Sequence, residues 1–75
     1  MNCPVCGDTA EDITSPTFDG KSIRCTTCGD YDISGSIYDP GTLLKLEPDE
    51  RKRALDKAKR SARPGQRPMI TSYNL

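Results

Sequence analysis

Hydrophobic positions in the first half of this chain come in short runs, and only the second half repeats them at helical spacing. Residues Ile13 to Phe18 carry β-branched and aromatic character, which predicts a short strand; Pro16 marks it as an edge or irregular one. Asp19-Gly20 then reads as a two-residue hairpin turn, because type I′ geometry needs positive φ at both central positions. Lys21 to Cys25 returns as a second strand with Ile23 on one side. Tyr31 and Ile33 alternate with Asp30 and Asp32, a period of two that predicts a third strand over Asp30 to Ser34. The expected result is a three-stranded antiparallel sheet with Tyr31 and Ile33 packed against Ile13, Phe18 or Ile23. Asp30 and Asp32 share the other face, where carboxylates are ordinarily solvated or meet a cation or a basic partner.

Past residue 33 the pattern changes. Ser34-Gly35-Ser36 reads as a flexible joint and Asp39-Pro40-Gly41 as a turn. Leu43, Leu44 and Leu46 predict one or two helical turns. Glu47 precedes a proline and so resists helical geometry, whereas Pro48 suits a first helical position and Asp49 and Glu50 suit the positive end of the dipole. The longest helix is therefore expected from Pro48 to about Ala62, stopped by Pro64-Gly65. Ala54, Leu55, Ala58 and Ala62 fall within an arc of roughly 100°. Lys52, Arg53, Lys57, Lys59, Arg60 and Arg63 fall opposite, with Asp56 among them and placed to pair with Arg60. For residues 67–75 two readings stay open: an extended segment returning to the sheet, or a frayed end.

The candidate chemistry lies in two repeats, Cys3-Pro4-Val5-Cys6-Gly7 and Cys25-Thr26-Thr27-Cys28-Gly29, with 18 residues between Cys6 and Cys25 and all 4 cysteines contained in them. A two-residue gap lets both sulfurs of one tight turn reach the same ion, and the glycine that follows can adopt positive φ. Two such turns supply four thiolates, a closed tetrahedral set with no open position. The spacing predicts one structural zinc ion held by Cys3, Cys6, Cys25 and Cys28. Disulfides would require an oxidising compartment and a secretory leader, and none is expected where the site begins at Cys3. A thioredoxin-like redox site would use a single such motif in a βαβ setting. Iron uses similar turns in rubredoxins, but those shield the metal with a cluster of aromatic rings, and here the aromatics are only Phe18, Tyr31, Tyr38 and Tyr73.

With the hairpin between them, the two Cys-x-x-Cys-Gly turns resemble a zinc ribbon, the rubredoxin-like arrangement of two zinc knuckles. The second turn and its tail, Cys25 to Ser34, are also similar to a C-x-x-C-G-x-Y-x-I motif of small bacterial and phage zinc-ribbon proteins. The likeness covers residues 1 to about 35. It implies a small α+β fold: a zinc-ribbon module over 1–36 and a helical extension over 37–75, packed on or beside it within one domain. Zinc ribbons serve many processes, so the resemblance implies metal binding without naming a task.

Composition narrows that task. A chain of 75 residues with 33% hydrophobic content has little core to bury, and a bound metal is the expected compensation. The chain lacks histidine, which excludes histidine acid–base catalysis and histidine-held catalytic metals; with no other nucleophilic constellation, a non-enzymatic role is expected. No apolar run approaches the roughly 20 residues that span a bilayer, so no membrane partner and a cytoplasmic location are expected. The zero net charge hides a split: ten acidic and three basic side chains in residues 1–50, eight basic and one acidic in residues 51–75. The basic helix face points to DNA or RNA. The competing expectation is a protein-interaction module, a phage- or mobile-element-type regulator docking on a host protein, as a monomer or a weak homodimer.

Overall fold

A computed structural model describes residues 1–75. It shows a small α+β protein, with a four-stranded, mostly antiparallel sheet carrying one long helix. The strands are β1 (Ala10–Asp12), β2 (Gly20–Cys25), β3 (Gly29–Ser34) and β4 (Met69–Ile70), in that spatial order. A short helix α1 (Gly35–Tyr38), a 3₁₀ turn (Leu43–Lys45) and the helix α2 (Pro48–Ser61) lie between β3 and β4.

β2 and β3 form the central hairpin, with Ile23 opposite Tyr31 and Cys25 opposite Gly29. The alternation that predicted β3 holds: Tyr31 and Ile33 are fully buried with Ile23. On the other face Asp30 pairs with Arg24 and Asp32 lies by Arg67, each at 3.3 Å. The first strand, however, is Ala10–Asp12, and the expected strand over Ile13–Phe18 is a loop. The Asp12 carboxylate accepts the Thr14 amide at 3.0 Å and also the Thr14 hydroxyl. That local turn competes with the ladder and lifts the chain out of the sheet. The Thr14 hydroxyl accepts the Ser22 amide at 3.0 Å, replacing a backbone partner. Pro16 then begins a turn closed from the Phe18 amide to the Ser15 carbonyl at 3.0 Å. Lys21 ties the turn to β2 through Asp12 at 3.1 Å, and its ammonium lies 5.6 Å from the centroid of the Tyr38 ring.

Asp19-Gly20 is not a two-residue turn either. Gly20 opens β2 with φ of 150°, and a Cβ there would stand 2.3 Å from the Ile33 carbonyl oxygen. The glycine is needed because two backbones approach closely, not because a turn demands it. Nor is 34–36 a flexible joint. β3 runs directly into α1, the Gly35 amide donates to the Asp19 carbonyl at 3.2 Å, and Gly35 is buried.

The long helix starts and stops close to where the sequence places it. Glu47 is extended at ψ of 152°, Pro48 begins the helix, and Ala62 ends it. Ala54, Leu55 and Ala58 are buried in one cluster with Ile23, Ile33, Ile37, Leu43 and Ile70. Leu43 and Leu46 join this packing, whereas Leu44 faces solvent. Arg51 lies within the apolar arc of the helix. Its guanidinium donates to the carbonyls of Leu46 and Leu44, both at 2.9 Å, and so pins the 3₁₀ turn to α2.

Of the two readings of the tail, the structure shows the extended return. β4 pairs parallel to β3, with Asp32 opposite Met69 and Ile33 opposite Ile70. Ile70 is fully buried and reaches the same cluster as Ala58. The tail therefore closes the core that β3 and α2 leave open. Replacing Ile70 by Ala should destabilise the protein by about 2–4 kcal/mol in equilibrium denaturation. An unchanged midpoint would mean that the tail is not part of the folded unit.

Candidate metal centre

Each cysteine pair sits on a turn that its own backbone bonds tighten. In the first, the Cys3 amide donates to the Asp8 carbonyl at 2.7 Å and the Gly7 amide to the Cys3 carbonyl at 2.9 Å. In the second, the Cys28 amide donates to the Cys25 sulfur at 3.4 Å. Gly7 and Gly29 both have φ of 82°, a left-handed conformation that lets the chain reverse just after each pair. Cys25 closes β2 and Gly29 opens β3, so the hairpin register fixes the second turn. An isolated bridge from Asn2 to Thr9 and the bond from the Met1 ammonium to the Ala10 carbonyl, 3.1 Å, hold the first turn beside it.

The four sulfurs, Cys3, Cys6, Cys25 and Cys28, lie within 4.8 Å of one another. Cys6 and Cys25 are 3.5 Å apart, and Cys3 and Cys28 3.9 Å. A metal bonded to four thiolates at about 2.3 Å would separate them by about 3.8 Å, so the cluster has the size of one tetrahedral coordination sphere. The donor set of four soft thiolates suits a thiophilic ion such as zinc or iron. The sulfurs are not equivalent. Cys3 and Cys25 are buried, whereas Cys6 and Cys28 are partly exposed. These two face a cleft of about 560 Å³ whose far wall is α2, at Lys52, Leu55, Asp56 and Lys59.

Tyr31 is the residue of the centre that sequence reasoning treated as packing alone. Its ring is fully buried and its hydroxyl lies 3.0 Å from the Cys3 sulfur. A thiolate accepts that O–H, so Tyr31 stabilises the form of Cys3 that binds metal. Burial alone would raise the Cys3 thiol; the Tyr31 hydroxyl and the amides of Cys6 and Val5 outweigh it and bring the group down to about 7. Burial and the neighbouring sulfur of Cys3 push the Tyr31 hydroxyl far above its ordinary range, so it remains a donor. Burial likewise raises Cys6 and Cys28. Four thiolates at this spacing repel, and a divalent cation is the charge that makes them compatible. The sequence signal for Tyr31 was present: an inward-facing tyrosine three residues past Cys28, whose buried hydroxyl needs a partner.

The six cations expected on one face of α2 are all exposed. Lys52 and Lys59 border the cleft beside the sulfurs, whereas Arg53 and Lys57 border a smaller depression of about 170 Å³ near Asn74 and Leu75. Arg60 and Arg63 lie on the last turn and just past it. None of the six has an ion-pair partner, and the expected Asp56–Arg60 pair does not form: the three salt bridges of the molecule join Lys21, Arg24 and Arg67 to aspartates of the sheet. No helix is long and apolar enough to cross a membrane.

Comparison with known protein families, with curated proteins and with solved structures returns no match. The clustered cysteines are compatible with a zinc ribbon, and the geometry alone carries that statement.

Two outcomes follow for the centre. Replacing Tyr31 by Phe removes the donor to Cys3 and should weaken metal binding by about 10–100-fold in chelator competition, the usual effect of losing such a partner. Metal uptake should release protons, because Cys6 and Cys28 are held protonated without an ion; retention must then fall as pH drops through and below about 7, where Cys3 also takes up a proton. Thiolate-to-cobalt absorbance followed during an acid titration measures this directly, and a signal constant to pH 4 would contradict it.

Proposed function

We propose that this chain is a non-catalytic zinc-binding module that presents α2 to nucleic acid. Zinc at Cys3, Cys6, Cys25 and Cys28 would leave no coordination position for a substrate, so its contribution is to join the two turns. Four thiols kept for a metal suit a reducing compartment such as the cytoplasm. The observation that carries the reading is the set of six exposed cations, Lys52, Arg53, Lys57, Lys59, Arg60 and Arg63, with no carboxylate paired to any of them. A solvated helix ordinarily interleaves charges of both signs. Here the acidic residues of α2 are Asp49 and Glu50 in its first turn and Asp56, none of them paired with the six, and Arg51 and Arg67 are the basic-segment residues already engaged. Because Ala54, Leu55 and Ala58 bury the opposite stripe, the cations sit on a support that cannot roll. Each phosphate neutralised would release counterions and give a salt-dependent affinity.

A second reading, docking on a host protein, draws on exposed apolar side chains, chiefly Leu44 at 54% and Leu75 at 43%. One experiment separates the two. The metal-loaded protein should bind labelled oligonucleotides, with log affinity falling by roughly 0.9 per neutralised phosphate for each log unit of salt on duplex. Reversing Lys52, Arg53, Lys59 and Arg60 to Glu together should abolish that binding while the fold survives, since all four are exposed. Absence of binding at low salt would reject the reading and leave the protein-docking alternative.

A further inference from the structure

Tyr73 is 95% exposed, the most open of the large hydrophobic side chains. It does not sit on a frayed end. Ile70 just before it is fully buried, and residues 72–74 form a 3₁₀ turn whose backbone is tied on both sides. The Thr71 hydroxyl accepts the Tyr73 amide at 3.3 Å, the Asn74 side-chain oxygen accepts the Thr71 amide at 2.8 Å, and the Asn74 amide donates to the Thr71 carbonyl at 3.0 Å. This reciprocal capping fixes the backbone that carries the ring. The turn packs against α2, and Asn74, the next residue, shares the smaller depression with Arg53 and Lys57. Glu50 is the one acidic side chain lining that depression.

A solvated aromatic ring on an anchored backbone, on the element that borders unpaired cations, is the arrangement that binds single strands. The cations meet the phosphates and the ring stacks on an unpaired base. A duplex keeps its bases stacked on each other and offers such a ring nothing. We infer that Tyr73, on the turn that packs against α2 and one residue before the depression lined by Arg53 and Lys57, forms a base-stacking site that makes this protein prefer single-stranded over double-stranded nucleic acid. The inference rests on the nucleic-acid reading above and adds the class of ligand. The backbone that carries the ring is fixed before binding, so the freedom lost when a base stacks on it is that of the side chain alone.

The test uses the whole metal-loaded chain and four variants: Tyr73→Ala, Tyr73→Phe, Tyr73→Trp and Arg53→Glu. The probes are a short oligothymidylate, the matching oligouridylate and a mixed-sequence duplex of equal length, read by fluorescence anisotropy. Wild type should bind the single strands more tightly than the duplex. Tyr73→Ala should weaken single-strand binding by about 5–100-fold, the range expected for losing one stacked base, and leave duplex binding unchanged. Tyr73→Phe should retain the preference, because the ring and not the hydroxyl carries it. The chain has no tryptophan, so Tyr73→Trp supplies a lone indole whose emission should be quenched by oligothymidylate. Arg53→Glu should weaken both ligands. Equal single-strand affinity in Tyr73→Ala and wild type, or unquenched emission in a Tyr73→Trp protein that binds oligothymidylate, would overturn the stacking site while leaving the basic-helix reading intact. Failure of wild type to bind any probe at low salt would overturn both. A preference for oligouridylate over oligothymidylate would assign the ligand as RNA, and the reverse as DNA, each in support of the site.

Discussion

Four sulfurs held within 4.8 Å are the constraint on which the rest of this protein depends. Two of them, Cys3 and Cys25, belong at once to the metal centre and to the buried cluster that contains Ile23, Tyr31 and Ile33. The centre and the core are therefore one object. Without a cation the sulfurs oppose each other, since ionising all four concentrates negative charge and protonating them forfeits their attraction for a metal. A shared ion would fasten the first turn to the β2–β3 hairpin, to which β1, the Thr27 hydroxyl donating to the Asp8 carboxylate at 2.8 Å and the Tyr31–Cys3 contact already hold it. Tyr31 links the two layers: its ring fills the core and its hydroxyl serves Cys3.

The basic helix depends on the same object. A stripe of Ala54, Leu55 and Ala58 contributes little buried area, so α2 is held as much by the tail and by Arg51 as by its own apolar face. Ile70 reaches it from β4, and β4 hangs on β3 through Asp32 and Ile33. Asp32 is the polar counterpart of that joint. Its amide donates to the Pro68 carbonyl at 2.8 Å, while one carboxylate oxygen is buried without a hydrogen bond and faces Arg67 at 3.3 Å as a charge alone. The sheet and the tail thus connect the cysteine cluster to the helix that carries the cations.

Much of this was legible in the residues, for reasons that differ by element. The cysteine spacing named the cluster because two-residue gaps leave few other geometries. The long helix was legible because Pro48, the acidic first turn and Pro64-Gly65 are local signals that tertiary packing had no reason to override. β3 was legible because its alternation records a buried face. What failed was the loop before β2. Ile13, Thr14 and Phe18 have strand character taken singly, but Asp12 captures Thr14 with its side chain, and such a local bond does not register in a hydrophobic pattern. Gly20 and Gly35 misled in the same way. Both read as freedom, and both are places where another backbone or carboxylate leaves no space for a Cβ. The parallel return of β4 spans more than thirty residues of intervening chain from β3, a distance at which periodicity carries no information. Tyr31 was legible as a buried ring whose hydroxyl needs a partner, but that the partner is Cys3 follows from register, which only the folded sheet supplies.

The central claim is that one zinc ion gathers all four cysteines and that the fold needs it. Native mass spectrometry of the purified chain, paired with near-ultraviolet circular dichroism before and after a strong chelator, tests it most directly. The account predicts one zinc per chain, seen as a mass gain of one zinc less two hydrogens at a given charge state, and loss of the tyrosine signal together with the cooperative melt once the metal is stripped, both recovered on adding zinc. A metal-free mass two hydrogens lighter per disulfide, or an unaltered spectrum and melt after chelation, would contradict it.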